Sequence, residues 1–200
     1  MAGTALSWKT TNIILGAGKL FGRVAQPGAG ARMTIDAATL TPDSTANPSA
    51  IHLGATQAGT KVSIKSTIDD YFVDEFAAPI ATSLSQVEAM MEGALVGVTD
   101  VDLLGYLAAG QGTVVKGVGF EEVSFGQTAI TYSSIAIIAP LIEDPTKILV
   151  VQFYKAINTA GIEINFGRKD LAFTPFNFKA FEVTTRAATD TLAKIWKQIA

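Results

Sequence analysis

Apolar and polar positions alternate with a period of two over several stretches of the chain, most clearly near its C-terminus. Ile162, Ile164 and Phe166 fall on one side of an extended backbone while Glu163 and Asn165 fall on the other, which predicts a half-buried strand over 161–166. A second strand is expected over 172–181, where Phe176 and Phe178 share a face and Asn177 and Lys179 point opposite. The polar residues 167–170 would join the two. Alternation at 60–65 predicts another strand, and shorter ones are expected at 12–15 and 32–37. Four more, at 114–118, 121–125, 128–138 and 147–157, are rich in Val, Ile, Phe and Tyr and are separated by Gly or Pro. Regular strands with turn signals between them argue for a mainly β fold, an antiparallel β-sandwich or barrel.

Helical spacing occurs in two places. At 99–109 Thr99 can cap, Asp100 and Asp102 suit the positive end, Leu103, Leu104 and Leu107 form the stripe expected to face the core, and Gly110 stops the helix. Leu192, Ile195, Trp196 and Ile199 predict a C-terminal amphipathic helix over about 186–199, packed on its own domain. The stretch 83–98 supports two readings. Ser85, Gln86, Val87 and Glu88 fit a helix-capping box, whereas Gln86, Glu88, Met90 and Glu92 alternate against Val87, Ala89 and Met91 as a strand would.

Two hundred residues suit a single domain, here 1–200 with an N-terminal arm at 1–11 and a long Pro-, Ser- and Thr-rich loop at 38–58. Only 16% of residues are charged, which is apolar for a monomer and points to burial between subunits. The longest apolar run, 135–142, falls far short of the roughly 20 residues of a spanning helix, and no secretory signal is expected at 1–10. No association with a membrane is expected. The net charge of −3 is unevenly spread: residues 51–100 hold two lysines and seven acids, whereas 151–200 hold seven basic residues and four acids. The acidic total disfavours a protein that grips phosphates.

Candidate chemistry is sparse. The absence of cysteine removes thiolate nucleophiles and cysteine metal sites. The single histidine, His52, has no ligand-type neighbour at motif spacing. Gly16, Gly18 and Gly22 imitate a dinucleotide loop, but the third glycine is one place late and Pro27 and Gly28 break any helix. Lys19 is followed by Leu20, which excludes a P-loop, so 16–22 reads as a glycine-rich turn between strands. The acidic segment 68–76 (Asp69, Asp70, Asp74 and Glu75 among Ile68, Tyr71, Phe72, Val73 and Phe76) has no purely apolar face. It lacks the glycine spacing of a calcium loop and a visible base partner, so solvent-facing acids on a strand are expected. No cofactor is expected.

The strand at 161–166, its basic connection, and the run Thr174, Pro175, Phe176, Asn177, Phe178, Lys179, Ala180, Phe181 resemble the closing strands of major tail tube proteins of long-tailed bacteriophages. The resemblance extends to the alternating Glu residues of 83–98 followed directly by a short helix, and favours a strand there. It covers roughly half the chain. It implies a non-enzymatic virion protein, assembled in the host cytoplasm, that forms hexameric rings stacked into a tail tube. Partners would be further copies of itself and tail proteins such as the tape measure and terminator, with DNA passing through unbound during ejection. Asp69, Asp70, Asp74, Glu75, Glu88 and Glu92 are then candidates for the lumen or its rim, where acidic or neutral side chains would let DNA slide. The loop 38–58 would lie across the neighbouring ring. Rival readings are the tube of a contractile tail or secretion apparatus, a capsid decoration protein, and, among enzymes, a carboxylate-based glycosidase using acids of the 69–75 segment.

Overall fold

A computed structural model describes residues 18–28, 30–36, 39–71, 78, 80–96, 100–109, 112–127, 129–141, 144–164 and 173–198. In chain order its elements are β1 (Lys19–Gly22), β2 (Ile35–Asp36), β3 (Thr41–Pro42), β4 (Ile51–His52), β5 (Thr56–Tyr71), β6 (Ala81–Val96), α1 (Val101–Leu107), β7 (Gly112–Gly117), β8 (Phe120–Phe125), β9 (Ser133–Pro140), β10 (Ile148–Asn158), β11 (Phe173–Ala180) and β12 (Ala193–Lys197). The main sheet runs β4-β1-β9-β10-β11-β6-β5, with β12 also paired to β10, and all of its pairings are antiparallel. The fold is mainly β and sandwich-like.

Strand β10 organises it. One edge pairs with β9; the other is shared, β12 taking Leu149 to Phe153 and β11 taking Ala156 to Asn158. Strand β11 then carries the sheet over to β6 through seven register pairs, from Phe173↔Val96 to Lys179↔Met90. The sheet closes over a core in which Ile135, Val151 and Phe153 of the β9–β10 half meet Met91, Leu95, Phe176 and Phe178 of the β6–β11 half. Alternate residues of β9 and β10, namely Ala136, Ile138, Ile148 and Val150, face a second core with Phe21, Val24 and Met33. The two strands are therefore buried on both faces, which is why both read as near-continuous apolar runs.

Close packing explains Gly22, which sequence assigns to a turn, and Gly93 of β6. A Cβ on Gly22 would stand 2.6 Å from the Tyr106 ring, and one on Gly93 would stand 2.8 Å from Phe176 and 3.0 Å from the Gly59 carbonyl oxygen. Gly93→Val is therefore expected to destabilise by about 1–3 kcal/mol through overpacking, measurable by thermal unfolding. A change under about 0.5 kcal/mol would show that β6 and β11 can separate without cost.

Several expectations need correction. The C-terminal helix over 186–199 does not form: 184–185 and 188–189 are turns, and 193–197 is strand β12. The half-edge of β10 left open by β11 offers five ladder pairs, and strand alternation sends Trp196 to the second core while Ile195 stays exposed on the opposite side. Ile199 lies outside the described residues. The strand expected over 161–166 is absent from 161–164, where Gly161 has φ +72° and Ile162 packs on the core; 165–172 lie outside the described residues. The segment 19–22 is not a turn but strand β1, paired with both β9 and β4. The strand expected at 32–37 shrinks to β2, and that at 128–138 begins only at Ser133.

The loop 38–58 holds β3, β4 and the start of β5, and it is tied to its own domain. Buried Asn47 accepts a hydrogen bond from the Ala25 N–H (2.8 Å) and donates to the Asp43 carbonyl (3.1 Å), and Leu53 is fully buried. The strand reading of 83–98 holds through β6, and the helix at 99–109 holds as α1. Its N-cap is Asp100, whose carboxylate accepts the Asp102 N–H; Thr99 and Gly110 lie outside the described residues. Leu103 and Leu107 are buried as expected, but Leu104 is only half-buried, and Tyr106 completes the stripe at i, i+3, i+4. The N-terminal arm and the strand at 12–15 lie outside the described residues. Among the described residues no helix is long and apolar enough to cross a membrane.

Candidate functional site

Four of the six acidic candidates, Asp69, Asp70, Glu88 and Glu92, lie on the hairpin of β5 and β6, two 16-residue strands paired from Tyr71↔Ala81 to Thr56↔Leu95. Two irregularities set its geometry. Residues 57–59 form a bulge where Thr56↔Leu95 gives way to Thr60↔Gly93, and Gly59 takes φ +83°, a value that favours glycine. Farther along, Thr67↔Gln86 is followed by Ile68↔Leu84, so Ser85 is an extra residue on β6.

Between the bulges, directly opposed residues share a face. Lys61↔Glu92, Ser63↔Met90 and Lys65↔Glu88 lie on the outer face, and Val62↔Met91 and Ile64↔Ala89 on the inner one. Strand β11 adds Asn177 and Lys179 to the outer face, since its alternate residues Phe176, Phe178 and Ala180 are in the core. Glu92 meets Lys61 at 2.5 Å and Glu88 meets Lys179 at 2.8 Å. The hydrogen bond and charge of Lys179, helped by Lys65, hold the Glu88 carboxyl below the ordinary carboxylate range; Lys61 and Lys65 do the same for Glu92. Both carboxylates therefore stay ionised into acid solution where a free glutamate would protonate.

The four acidic candidates among the described residues do not form one cluster. Strand alternation puts Asp69 on the face of Lys61 and Lys65 and Asp70 on the opposite one, both exposed. Asp74 and Glu75 lie outside the described residues. Among the described residues no three His, Asp or Glu side chains gather as a metal site. His52 stacks edge-on against Phe21 (5.1 Å), and burial, with the Lys19 charge, lowers its pKa. The Tyr106 phenol, beside a cavity near Arg23, is pushed up to about 12 by burial and so stays protonated.

Sequence reading missed the apolar side of this arm. Ile64, Ile68 and Leu84 fall on the inner face, yet Ile68 and Leu84 are 61% exposed because the hairpin runs past the core that covers Met91 and Leu95. Ile64 borders a cleft of about 600 Å³ shared with Ile137, Leu149, Val151 and Ile195. Among the described residues nothing pairs with the outer edge of β5, and β11 leaves β6 at Met90, so 81–88 also has a free edge. The missed signal is visible only in part: Ile64 and Ile68 alternate with polar residues, but Leu84 joins them only through the bulge at Ser85.

Compared with known proteins, the chain matches no protein-family model and no curated sequence.

Proposed function

We propose that the chain is a structural, tail-tube-like virion protein that polymerises as stacked hexameric rings, a conduit through which DNA passes unbound. The observation that carries this reading is the β5–β6 arm, a long hairpin whose outer edge pairs with nothing among the described residues and whose inner face leaves Ile64, Ile68 and Leu84 exposed. An unpaired edge of this length invites pairing with another chain, and monomeric proteins shorten, cover or bend such edges. Joining the β5 edge to the sheet of a neighbouring copy would satisfy its backbone groups and bury the stripe. The order of a long Glu-alternating strand, a short helix and a Phe-rich strand supports the same reading through its resemblance to tail tube proteins.

Negative-stain microscopy with size measurement over a concentration series tests it. Rings or hollow tubes are expected from the unaltered chain. They should be lost in Ile68→Asp with Leu84→Asp, while the melting temperature of the unassembled protein changes little, because both positions are already exposed. Shells instead of rings would favour a capsid role. Assembly that survives both substitutions would remove the arm from the interface.

A further inference from the structure

A cavity of about 530 Å³ opens where the end of β1, helix α1 and the start of β9 meet, a volume within the usual range of small-molecule sites. Its walls differ in kind. Val114, Ala156 and Phe178 give an apolar side, whereas Arg23, Ser49 and Thr131 give a polar one. Two further wall groups are already engaged. Lys116 holds the Asp102 carboxylate at 2.5 Å, and the amide and oxygen of Asn158 each make two hydrogen bonds to backbone groups.

What is left is a positive charge and a neutral donor. Arg23 has no carboxylate partner among the described residues, and its guanidinium carbon lies 5.8 Å from the centre of the Tyr106 ring. Its backbone sits at φ +53°, a conformation that residues with a side chain rarely adopt, and strain of this kind gathers at ligand sites. The Tyr106 side chain is buried and its hydroxyl makes no hydrogen bond, since Ser133 lies near it without the required geometry. Burial keeps that phenol protonated, so it is a donor without an acceptor. One guanidinium beside a neutral donor suits a single carboxylate. The planar fork of arginine matches two carboxylate oxygens, and one cation balances one negative charge where a phosphate dianion would stay half compensated.

We propose that this cavity binds a small organic monoanion, its carboxylate held by Arg23 and Tyr106 and its apolar body set against Val114, Ala156 and Phe178. No residue of β5 or β6 lines the cavity, so the inference is independent of assembly through the arm.

The test is titration of the full chain with benzoate, followed by amide NMR below the assembly concentration. Saturating shifts centred on Tyr106, Val114 and Ala156 are expected, with a Kd on the order of 1 mM for so small a ligand. Benzamide, equal in shape but uncharged, should bind at least about tenfold more weakly, and so should inorganic phosphate. Arg23→Gly should lose a similar factor while melting no lower than the unaltered chain, because glycine accepts φ +53° freely. Tyr106→Phe should also bind benzoate more weakly at an unchanged melting temperature, since no hydrogen bond within the protein is lost. Unchanged benzoate affinity in either variant overturns the inference. So does the absence of benzoate binding at about 10 mM, or binding of benzamide or phosphate as tight as that of benzoate.

Discussion

Arg186→Ala is expected to destabilise the protein by about 3 kcal/mol, lowering the melting temperature by roughly 6–12 °C for a chain of this size. The side chain is 6% exposed and joins three segments. Its guanidinium lies 3.7 Å from the centre of the Tyr154 ring, pairs with Asp190 at 2.8 Å, and donates to the Pro27 carbonyl at 2.7 Å and the Asp190 carbonyl at 2.9 Å. The Tyr154 hydroxyl donates to the same carboxylate at 2.6 Å. Alanine leaves Asp190 with Tyr154 and a distant Lys194 at 3.9 Å, and leaves the Pro27 carbonyl without its donor. The loss should thus be smaller than for a fully isolated buried charge, but larger than for a surface pair.

Acidity provides a check on the cause. Burial works to raise the Asp190 carboxyl, but hydrogen bonds from Tyr154 and Arg186 and the Arg186 charge outweigh it and hold it below the usual range. A depressed carboxyl contributes stability above its unfolded pKa, about 3.9, and loses it as pH falls through the folded value. The gap in melting temperature between the unaltered protein and Arg186→Ala should therefore be full near neutrality and narrow below about pH 4. A gap independent of pH would mean that lost stacking on Tyr154, rather than charge, sets the effect.

How much of this was legible beforehand depended on how local each cause was. Strand β11 was readable because its alternation is complete over Thr174 to Ala180 and nothing competes with it. The helix α1 was readable from its acids and leucines, although Leu103, Tyr106 and Leu107 rather than three leucines line the core. Strand β12 was not readable, since Leu192, Ile195 and Trp196 fit a helix equally well until the vacant half-edge of β10 is known. Strand β1 was hidden by glycines that leave room for Ile137 of the paired strand β9 and for Tyr106 of α1. The candidate surface was half legible. Its glutamates stood out as a pattern, but the lysines that face them come from β5 and β11, and only sheet register brings Lys61, Lys65 and Lys179 beside Glu88 and Glu92. Arg186 and Asp190 are four residues apart in a stretch that sequence reads as helix, so their reach to Pro27 and Tyr154 had no local sign.

Asn158→Leu is expected to cost about 3 kcal/mol, for a reason independent of apolar volume. Asn158 is buried at the point where β10, β11 and the end of α1 meet. Its amide donates to the Leu107 carbonyl at 3.0 Å and the Gly161 carbonyl at 2.8 Å, and its oxygen accepts the Asn177 N–H at 2.9 Å and the Ala160 N–H at 3.3 Å. Leucine has similar bulk and satisfies none of them, so two carbonyls and two amides lose this partner; the exposed Ala160 amide can turn to water, whereas the bond to the Leu107 carbonyl is buried. Hydrogen exchange should show the Asn177 amide losing protection ahead of the β11–β6 ladder.

Asn158→Asp distinguishes hydrogen bonding from packing. Aspartate keeps both acceptor bonds but, when ionised, turns oxygen toward the two carbonyls, so its folded pKa should rise above the ordinary value. A raised carboxyl pKa makes folding relatively more favourable as pH falls, because the native state then binds the extra proton and can donate to one carbonyl. The deficit of Asn158→Asp should shrink on acidification from pH 7 to about 4, while that of Asn158→Leu should not. Parallel behaviour of the two variants would assign Asn158 a role in shape alone and leave the junction of helix and sheet to its apolar contacts.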